Sequence, residues 1–477
     1  MSAPEETRSA LAWGGGSEMN ALEALMWRAE ADPRLRSTIF ALELLDEVPD
    51  WERLVAAHDW GTRMVPRFRQ RVVEPALWLG APSWAVDPDF DLNYHVRRLR
   101  LPGGGSWRDL LTIVSQIAMT PFDRARSPWE AVLIEGLADG KAAYLLKMHH
   151  ATTDGMGGIQ LLAGIHSRTR EPDLDKPQPP PPVGERVTSA GTLARQVARD
   201  ARGAARMLRR SSGALRALAR PDQAARDALG YASSLRRVLA GPAAEGSPLL
   251  GARSMSWRLS ALDVAFADLR AAGKAAGGSL NDAYLAALLG AFRRYHEQLG
   301  QLVSTLPMAV PISLRRSEDS EGGNRFAGAR LAGPMDIADP GERIAAIGAL
   351  VRAARDELAV DGVALVAPAL SRLPGSVISR LAGGMTKAND LQASNVPGLR
   401  QDAYLAGALV ERLYGFGPLP GCACMAALVT HRDTCCVAVN SDPAAITEGE
   451  LFDRCLVEGF AEVLTLHPNA TPPLLRA

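Results

Sequence analysis

Between Glu171 and Arg186 the chain reads EPDLDKPQPPPPVGER, with four prolines in succession. Proline lacks the amide donor and fixes φ near −65°, so this tract forms neither a helix interior nor an interior strand. Consecutive prolines favour a stiff, extended segment. At about 150 residues per domain, 477 residues leave room for two or three domains. The tract is therefore the natural boundary. It predicts a mobile tail over 1–18, a first lobe over 19–170, a Pro-rich linker and basic helical connector over 171–240, and a second lobe over 241–477.

Hydrophobic residues make up 47% of the chain and charged residues 22%, an ordinary globular balance that excludes wholesale disorder. Lys+Arg and Asp+Glu both count 53, which argues against a general nucleic-acid binder. Cys422, Cys424, Cys435, Cys436 and Cys455 are odd in number and lie near the C-terminus. They read as buried thiols in a reducing, cytoplasmic setting rather than as a disulfide framework or metal site. The first residues carry two early glutamates and no apolar core, unlike a signal peptide. The longest uncharged run, Leu413 to Thr430, is broken by Gly415, Gly417, Pro418, Pro420 and Gly421, so no transmembrane helix is expected. Arg195, Arg199, Arg202, Arg206 and Arg209 recur at steps of three and four, one face of a helix. That stripe reads as a solvated connector or as a peripheral contact with an anionic membrane surface.

The chemistry concentrates in AAYLLKMHHATTDGMGGIQLLAGIHS. Ala142 to His150 reads as a strand and Gly158 to His166 as a helix, with His149-His150-x-x-x-Asp154-Gly155 between. On a strand, Tyr144, Leu146, Met148 and His150 share one face, and Leu145, Lys147 and His149 share the other. One histidine, not both, can enter a given pocket. Such a histidine suits a general base near neutral pH. Asp154 can brace the turn by accepting backbone N–H groups or an arginine. Gly155 and Gly157 would let the chain turn before the helix, whose N-terminus favours a developing oxyanion. No GxSxG nucleophile elbow, P-loop or dinucleotide fingerprint is present. Further on, SLNDAYLAALLGAFRRYHEQL predicts a helix capped by Ser279. CMAALVT and TCCVAVN predict a hairpin around His431–Asp433, and Glu448 to Leu464 a last helix.

Eight pieces stand in an order that resembles one family: PRFRQRV, DPDFDLNYHVRRLRLP, SPWEAVLIEGL, KMHHATTDG, SLNDAYLAAL, PISLRR, GGNRFAG and SNVPG. They are similar to the bacterial wax ester synthase/acyl-CoA:diacylglycerol acyltransferases, relatives of chloramphenicol acetyltransferase and peptide-synthetase condensation domains. The resemblance implies an α/β fold of two pseudo-symmetric chloramphenicol-acetyltransferase-like lobes with a tunnel at their interface. It assigns the general base to His150, the second histidine of HHxxxDG, beside His149. It makes Asp154 and Gly155 structural partners. Asn281 and Asp282 match the family's ND motif. Ser394, Asn395, Val396 and Pro397 match a loop of the second lobe; both motifs would shape the site or the thioester pocket. It implies acyl-CoA as co-substrate, no cofactor, no metal, and a diacylglycerol or long-chain alcohol acceptor. It also implies peripheral contact with the inner membrane or lipid droplets and no nucleic acid. Where the family reads PLWE, this chain has Ser127-Pro128-Trp129-Glu130. Another hydroxyl acceptor (a glycolipid, sterol-like or natural-product alcohol) is the alternative. Against a non-catalytic lipid-binding scaffold stand the intact His150, Asp154 and Asn281.

Overall fold

The computed structural model describes residues 13, 16–78, 80–173, 175–198, 243–313, 326–358 and 389–476. Strands run in the order β1 (Thr38–Leu45), β2 (Gln70–Val73), β3 (Ser83–Val86), β4 (Val96–Arg100), β5 (Trp129–Glu135), β6 (Ala142–His149), β7 (Arg258–Ala265), β8 (Thr305–Ser313), β9 (Phe326–Pro334), β10 (Leu391–Val396), β11 (Tyr404–Leu405), β12 (Ala408–Phe416), β13 (Cys424–His431), β14 (Thr434–Ser441) and β15 (Leu474–Arg476). The longer helices are α1 (Ala21–Ala29), α2 (Trp51–Met64), α3 (Trp107–Met119), α4 (Gly155–Ile165), α5 (Phe266–Ala275), α6 (Leu280–Gln298), α7 (Pro340–Leu358) and α8 (Gly449–Leu464).

Two mixed sheets result. One has six strands in the order β11-β12-β1-β6-β5-β4; the other has seven, β15-β7-β14-β13-β10-β8-β9. β6 lies at the middle of the first, antiparallel to both β1 and β5. Its faces alternate as a pleated strand must. Tyr144, Leu146 and Met148 pack with Leu161 and Leu162 of α4, whereas Ala143 and Leu145 pack with Leu110 and Val114 of α3.

The second half of the chain contributes to the first sheet. β12 pairs with β1 antiparallel, Phe40 opposite Phe416, and β11 pairs outside it. A division at the Pro-rich tract assigns 404–416 to the second lobe, and the observed pairing places these strands in the first sheet. Strand pattern reports which face is buried, not which sheet the strand joins. The uncharged run from Leu413 is thereby split between β12 and β13. Among the described residues no helix is long and apolar enough to cross a membrane.

The Pro-rich tract is extended, and α2 holds it: Trp60 Nε1 donates to Pro177 O at 2.8 Å and an Arg63 guanidinium nitrogen to Pro179 O at 3.1 Å. Residues 189–198 are helical. Most of the basic stripe, from Arg199 onward, lies outside the described residues, as does Gly322–Arg325 of GGNRFAG. The mobile tail expected over 1–18 is corrected at its described residues. Trp13 is buried, Ser17 O accepts the Trp84 N–H at 2.7 Å, and Glu18 bridges to Ser83. A small, polar composition suggests mobility, but one indole buries enough apolar surface to hold such a segment.

The remaining elements follow their local chemistry. Ser279 and Asp282 close a reciprocal capping box on α6. β13 and β14 form the expected hairpin, with Arg432 in the left-handed region at φ 54°. All five cysteines are free and buried.

Candidate active site

β6 stops pairing at His149, opposite Thr38, so His150 is the first residue past the ladder rather than its last. The His150 N–H still reaches back to Ser37 O at 2.7 Å. This bond holds the backbone at the exit of the strand. His149 is fully buried on the face expected from alternation. Phe122 confirms that face: its ring lies 6.3 Å from the His149 ring and 4.4 Å from Lys147 Nζ. His149 Nδ1 accepts the Ala151 N–H at 2.9 Å, so the ring proton belongs on Nε2. Nε2 faces Glu30 Oε1 at 3.2 Å.

Glu30 ends α1 and also accepts the Ser37 N–H at 2.7 Å. Burial pushes its carboxyl upward, but the neighbouring His149 imidazole and the Ser37 amide outweigh burial and hold it below the usual range. Contacts therefore run around the turn: His149 faces Glu30, Glu30 accepts from Ser37 N–H, and Ser37 O accepts from His150 N–H. Trp27 packs edge-on to His149 with centroids 5.0 Å apart. His149 thus orders the strand exit, and the half-exposed residue of the pair is His150.

Asp154 is the N-cap of α4; its Oδ1 accepts the Gly157 N–H at 2.8 Å. The helix begins at Gly155, three residues before the expected Gly158. Neither Gly155 nor Gly157 has a positive φ, so the turn does not need them. Gly155 serves a close approach instead. A Cβ there would lie 3.0 Å from Val396 Cγ2. The HHxxxDG turn and the SNVP motif, 241 residues apart in sequence from Gly155 to Val396, are thereby in contact.

Ser394, Asn395 and Val396 are the last residues of β10, parallel to β13, with Pro397 following. The expected loop is a strand end, and Pro397 marks where pairing stops. Asn395 Nδ2 donates to Asn281 Oδ1 at 3.4 Å, linking the SNVP and ND motifs. The Asp282 carboxylate accepts the Ser279 N–H and Oγ–H, both at 2.8 Å. Both bonds land on Oδ2 and form part of the cap of α6.

Ser127-Pro128-Trp129-Glu130 braces the same strand. Pro128 O accepts the His149 N–H at 3.0 Å, and Trp129 stands opposite Met148. Trp129 Nε1 donates to Phe68 O at 2.7 Å. Trp13 Nε1 donates to Gly157 O at 3.2 Å and stacks on Phe68. A small cavity of about 30 Å³ lies higher on the Tyr144–Leu146 face, beside His58, Trp129 and Ile165. Trp13, Glu30 and Ser37 carried no motif in the sequence; only their packing reveals them.

Nucleophilic thiols are disfavoured. Burial pushes Cys422 and Cys435 up to about 12 and Cys455 up to about 11. Among the described residues no group of three His, Cys, Asp or Glu is arranged to hold a metal.

Comparison with known proteins fits this arrangement. Residues 17–284 match the wax ester synthase/diacylglycerol acyltransferase catalytic domain, and residues 322–463 match the C-terminal domain of the same family. A Mycobacterium tuberculosis (strain H37Rv) protein, provisionally named a diacylglycerol O-acyltransferase, is 45% identical over 465 residues, 96% of this chain and 94% of that protein. A second protein of that strain with the same description is 33% identical over 372 residues, 75% of this chain and 77% of that one. In fold, the chain is similar to the Marinobacter aquaeolei VT8 wax ester synthase/diacylglycerol acyltransferase. That likeness has a TM-score of 0.63 at 21% identity and covers 94% of this chain and 100% of the other. The first condensation domain of the CDA synthetase follows with a TM-score of 0.56 at 14% identity, covering 95% and 99%. With both family domains matched in order across the two sheets that hold HHxxxDG and SNVP, the chain belongs to the wax ester synthase/diacylglycerol acyltransferase family and is an acyltransferase.

Proposed function

We propose that the chain transfers a fatty acyl group from acyl-CoA to the hydroxyl of diacylglycerol or a long-chain alcohol, with His150 as general base. The observation that carries this is the held exit of β6. His149 is buried, its Nδ1 accepting the Ala151 N–H and its Nε2 facing Glu30, while His150 follows it partly exposed beside the Asp154-capped helix. The His150 imidazole takes the acceptor hydroxyl proton as its oxygen attacks the thioester carbonyl. The tetrahedral oxyanion forms near the N-terminus of α4, whose partial positive charge favours it. Collapse breaks the C–S bond, and the CoA thiolate leaves and takes the proton from the imidazolium. A general base contributes about 10²–10⁴-fold. Transfer is direct: the five cysteines are buried, with their thiols pushed upward, and offer no acyl-enzyme route.

Thiol release from palmitoyl-CoA, with hexadecanol, dipalmitoyl-glycerol or no acceptor, tests this on wild type and His150→Ala. Acceptor-dependent release is expected in the wild type and is lost in His150→Ala. His149→Ala should keep more activity but melt at lower temperature, because it removes the acceptor of the Ala151 N–H. Equal loss in both variants with unchanged circular dichroism would sink the assignment. Silence with both lipids would move the reading to another hydroxyl acceptor.

A further inference from the structure

The start of α6 and the middle of α7 flank an open cavity of about 280 Å³, and none of its lining residues belongs to the HHxxxDG turn. Arg352 and Arg355 line it from α7. Gly348, which also lines it, stands four residues before Arg352, and Arg355 three after, so the three share one helix face. Ser279, Asn281 and Asp282 line it from α6, and Gly277 from the turn before it. Gly277 has φ +72° and open space where a side chain would stand, so the turn leaves the cavity clear.

Among the described residues this wall carries two cations and one carboxylate. Both arginines are exposed, and neither makes an ion pair among the described residues. The one carboxylate, Asp282, already accepts two hydrogen bonds from Ser279. The backbone N–H groups in the first turn of α6 add to the positive side. A chain with zero formal net charge thus concentrates two guanidinium groups on one small concavity. Guanidinium forks match phosphate oxygens bidentately, so phosphate esters are the ligand class this wall selects.

The position is equally specific. Asn281 is part of the wall and bonds Asn395; the next residue, Val396, packs on Gly155. The cavity is two contacts from the HHxxxDG turn. Whole-ligand pockets usually hold about 300–1,000 Å³. The volume here suits a phosphorylated fragment rather than an entire thioester.

We propose that this cavity binds the phosphate groups at the nucleotide end of the acyl-CoA donor, with Arg352 and Arg355 as the recognising residues. This rests on the acyl-CoA reading above. The pantetheine arm then runs from the cavity toward the turn that carries His150.

The test uses the full chain and the double variant Arg352→Ala/Arg355→Ala, with Arg352→Lys/Arg355→Lys as the charge-retaining control. Both sites are exposed, so folding should survive; melting curves check this. Calorimetry with free CoA should show affinity falling about tenfold in the alanine variant and mostly retained in the lysine variant. The KM for palmitoyl-CoA should rise about tenfold with kcat unchanged. Palmitoyl-pantetheine, which lacks the nucleotide and its phosphates, should react equally with both proteins. Unchanged CoA affinity in the alanine variant would overturn the proposal, as would equal loss with palmitoyl-pantetheine. So would weakened binding to phosphatidic acid vesicles with CoA binding intact. CoA binding that needs these arginines in a protein that transfers no acyl group would uphold this site and reject the catalytic reading.

Discussion

Single residues near β6 carry chemistry that burial has changed. His95 is fully buried, stacked on Trp129 at 4.6 Å and on Phe90 at 5.1 Å. Its Nδ1–H donates to Trp129 O at 2.8 Å, and Nε2 finds no hydrogen-bond partner among the described residues. Burial pushes its pKa from 6.5 down to about 4, against the smaller upward pull of that hydrogen bond. In the unfolded chain the imidazole protonates as pH falls through 6.5, whereas in the fold it stays neutral until about 4. Stability therefore falls with falling pH across that window, by about 2 kcal/mol from this residue between pH 7 and 5. His95→Phe keeps the stack and removes the titration, at a cost of about 1 kcal/mol for the lost hydrogen bond. Urea unfolding at pH 7 and pH 5 should show a shallower pH dependence in His95→Phe. An equal slope in both proteins would show that His95 does not titrate in this range.

At the scale of elements, the junction of α4 with β10 decides whether the two motifs meet. Gly155→Ala puts a methyl group 3.0 Å from Val396 Cγ2, so the helix start or the strand end must move. Acyl transfer should fall about tenfold with little loss of helix, and Val396→Ala in the same chain should restore most of it. A double-mutant cycle should yield a coupling of about 1 kcal/mol, as neighbours in contact do; additive losses would mean that this contact does not position the site. Elements whose own chemistry is complete were legible in sequence: α6, with its Ser279–Asp282 cap and apolar stripe, and the β13–β14 hairpin. The start of α4 was not legible, because Gly155, Gly157 and Gly158 are poor helix formers and read as turn. Only the Asp154 cap and packing against Val396 make them helix. Trp13 was missed for the opposite reason, since its neighbours are small and only its indole reaches the core. The histidine pair was half-legible. Alternation separated His149 from His150, but Glu30 and Ser37, which give that separation its geometry, lie in segments with no pattern to mark them.

On the scale of the whole molecule, the two sheets share one interior. Phe40 and Leu42 of β1 and Tyr414 and Phe416 of β12 pack with Leu259 and Ala261 of β7 and with Cys436 and Ala438 of β14. Phe40 stacks on Phe416 at 4.8 Å, and Arg412 Nε donates to Asp263 Oδ2 at 2.9 Å. The first sheet is therefore complete only when the second half of the chain supplies β12. A fragment of residues 1–170 would leave β1 an unpaired apolar edge, the kind that pairs with other chains. Such a fragment should be insoluble or aggregate when expressed alone. A full chain cut at a protease site engineered within Pro180–Pro182 should behave otherwise. Its halves should remain one complex, unfold in one cooperative transition and keep acyl transfer, because the tract connects the halves while the shared core holds them. Gel filtration, calorimetry and thiol release on the nicked protein would check this. A folded, monomeric 1–170 fragment would show instead that β12 is an addition to a lobe already stable without it. The SNVP contact with Gly155 would then depend on docking between two independent bodies rather than on one interior.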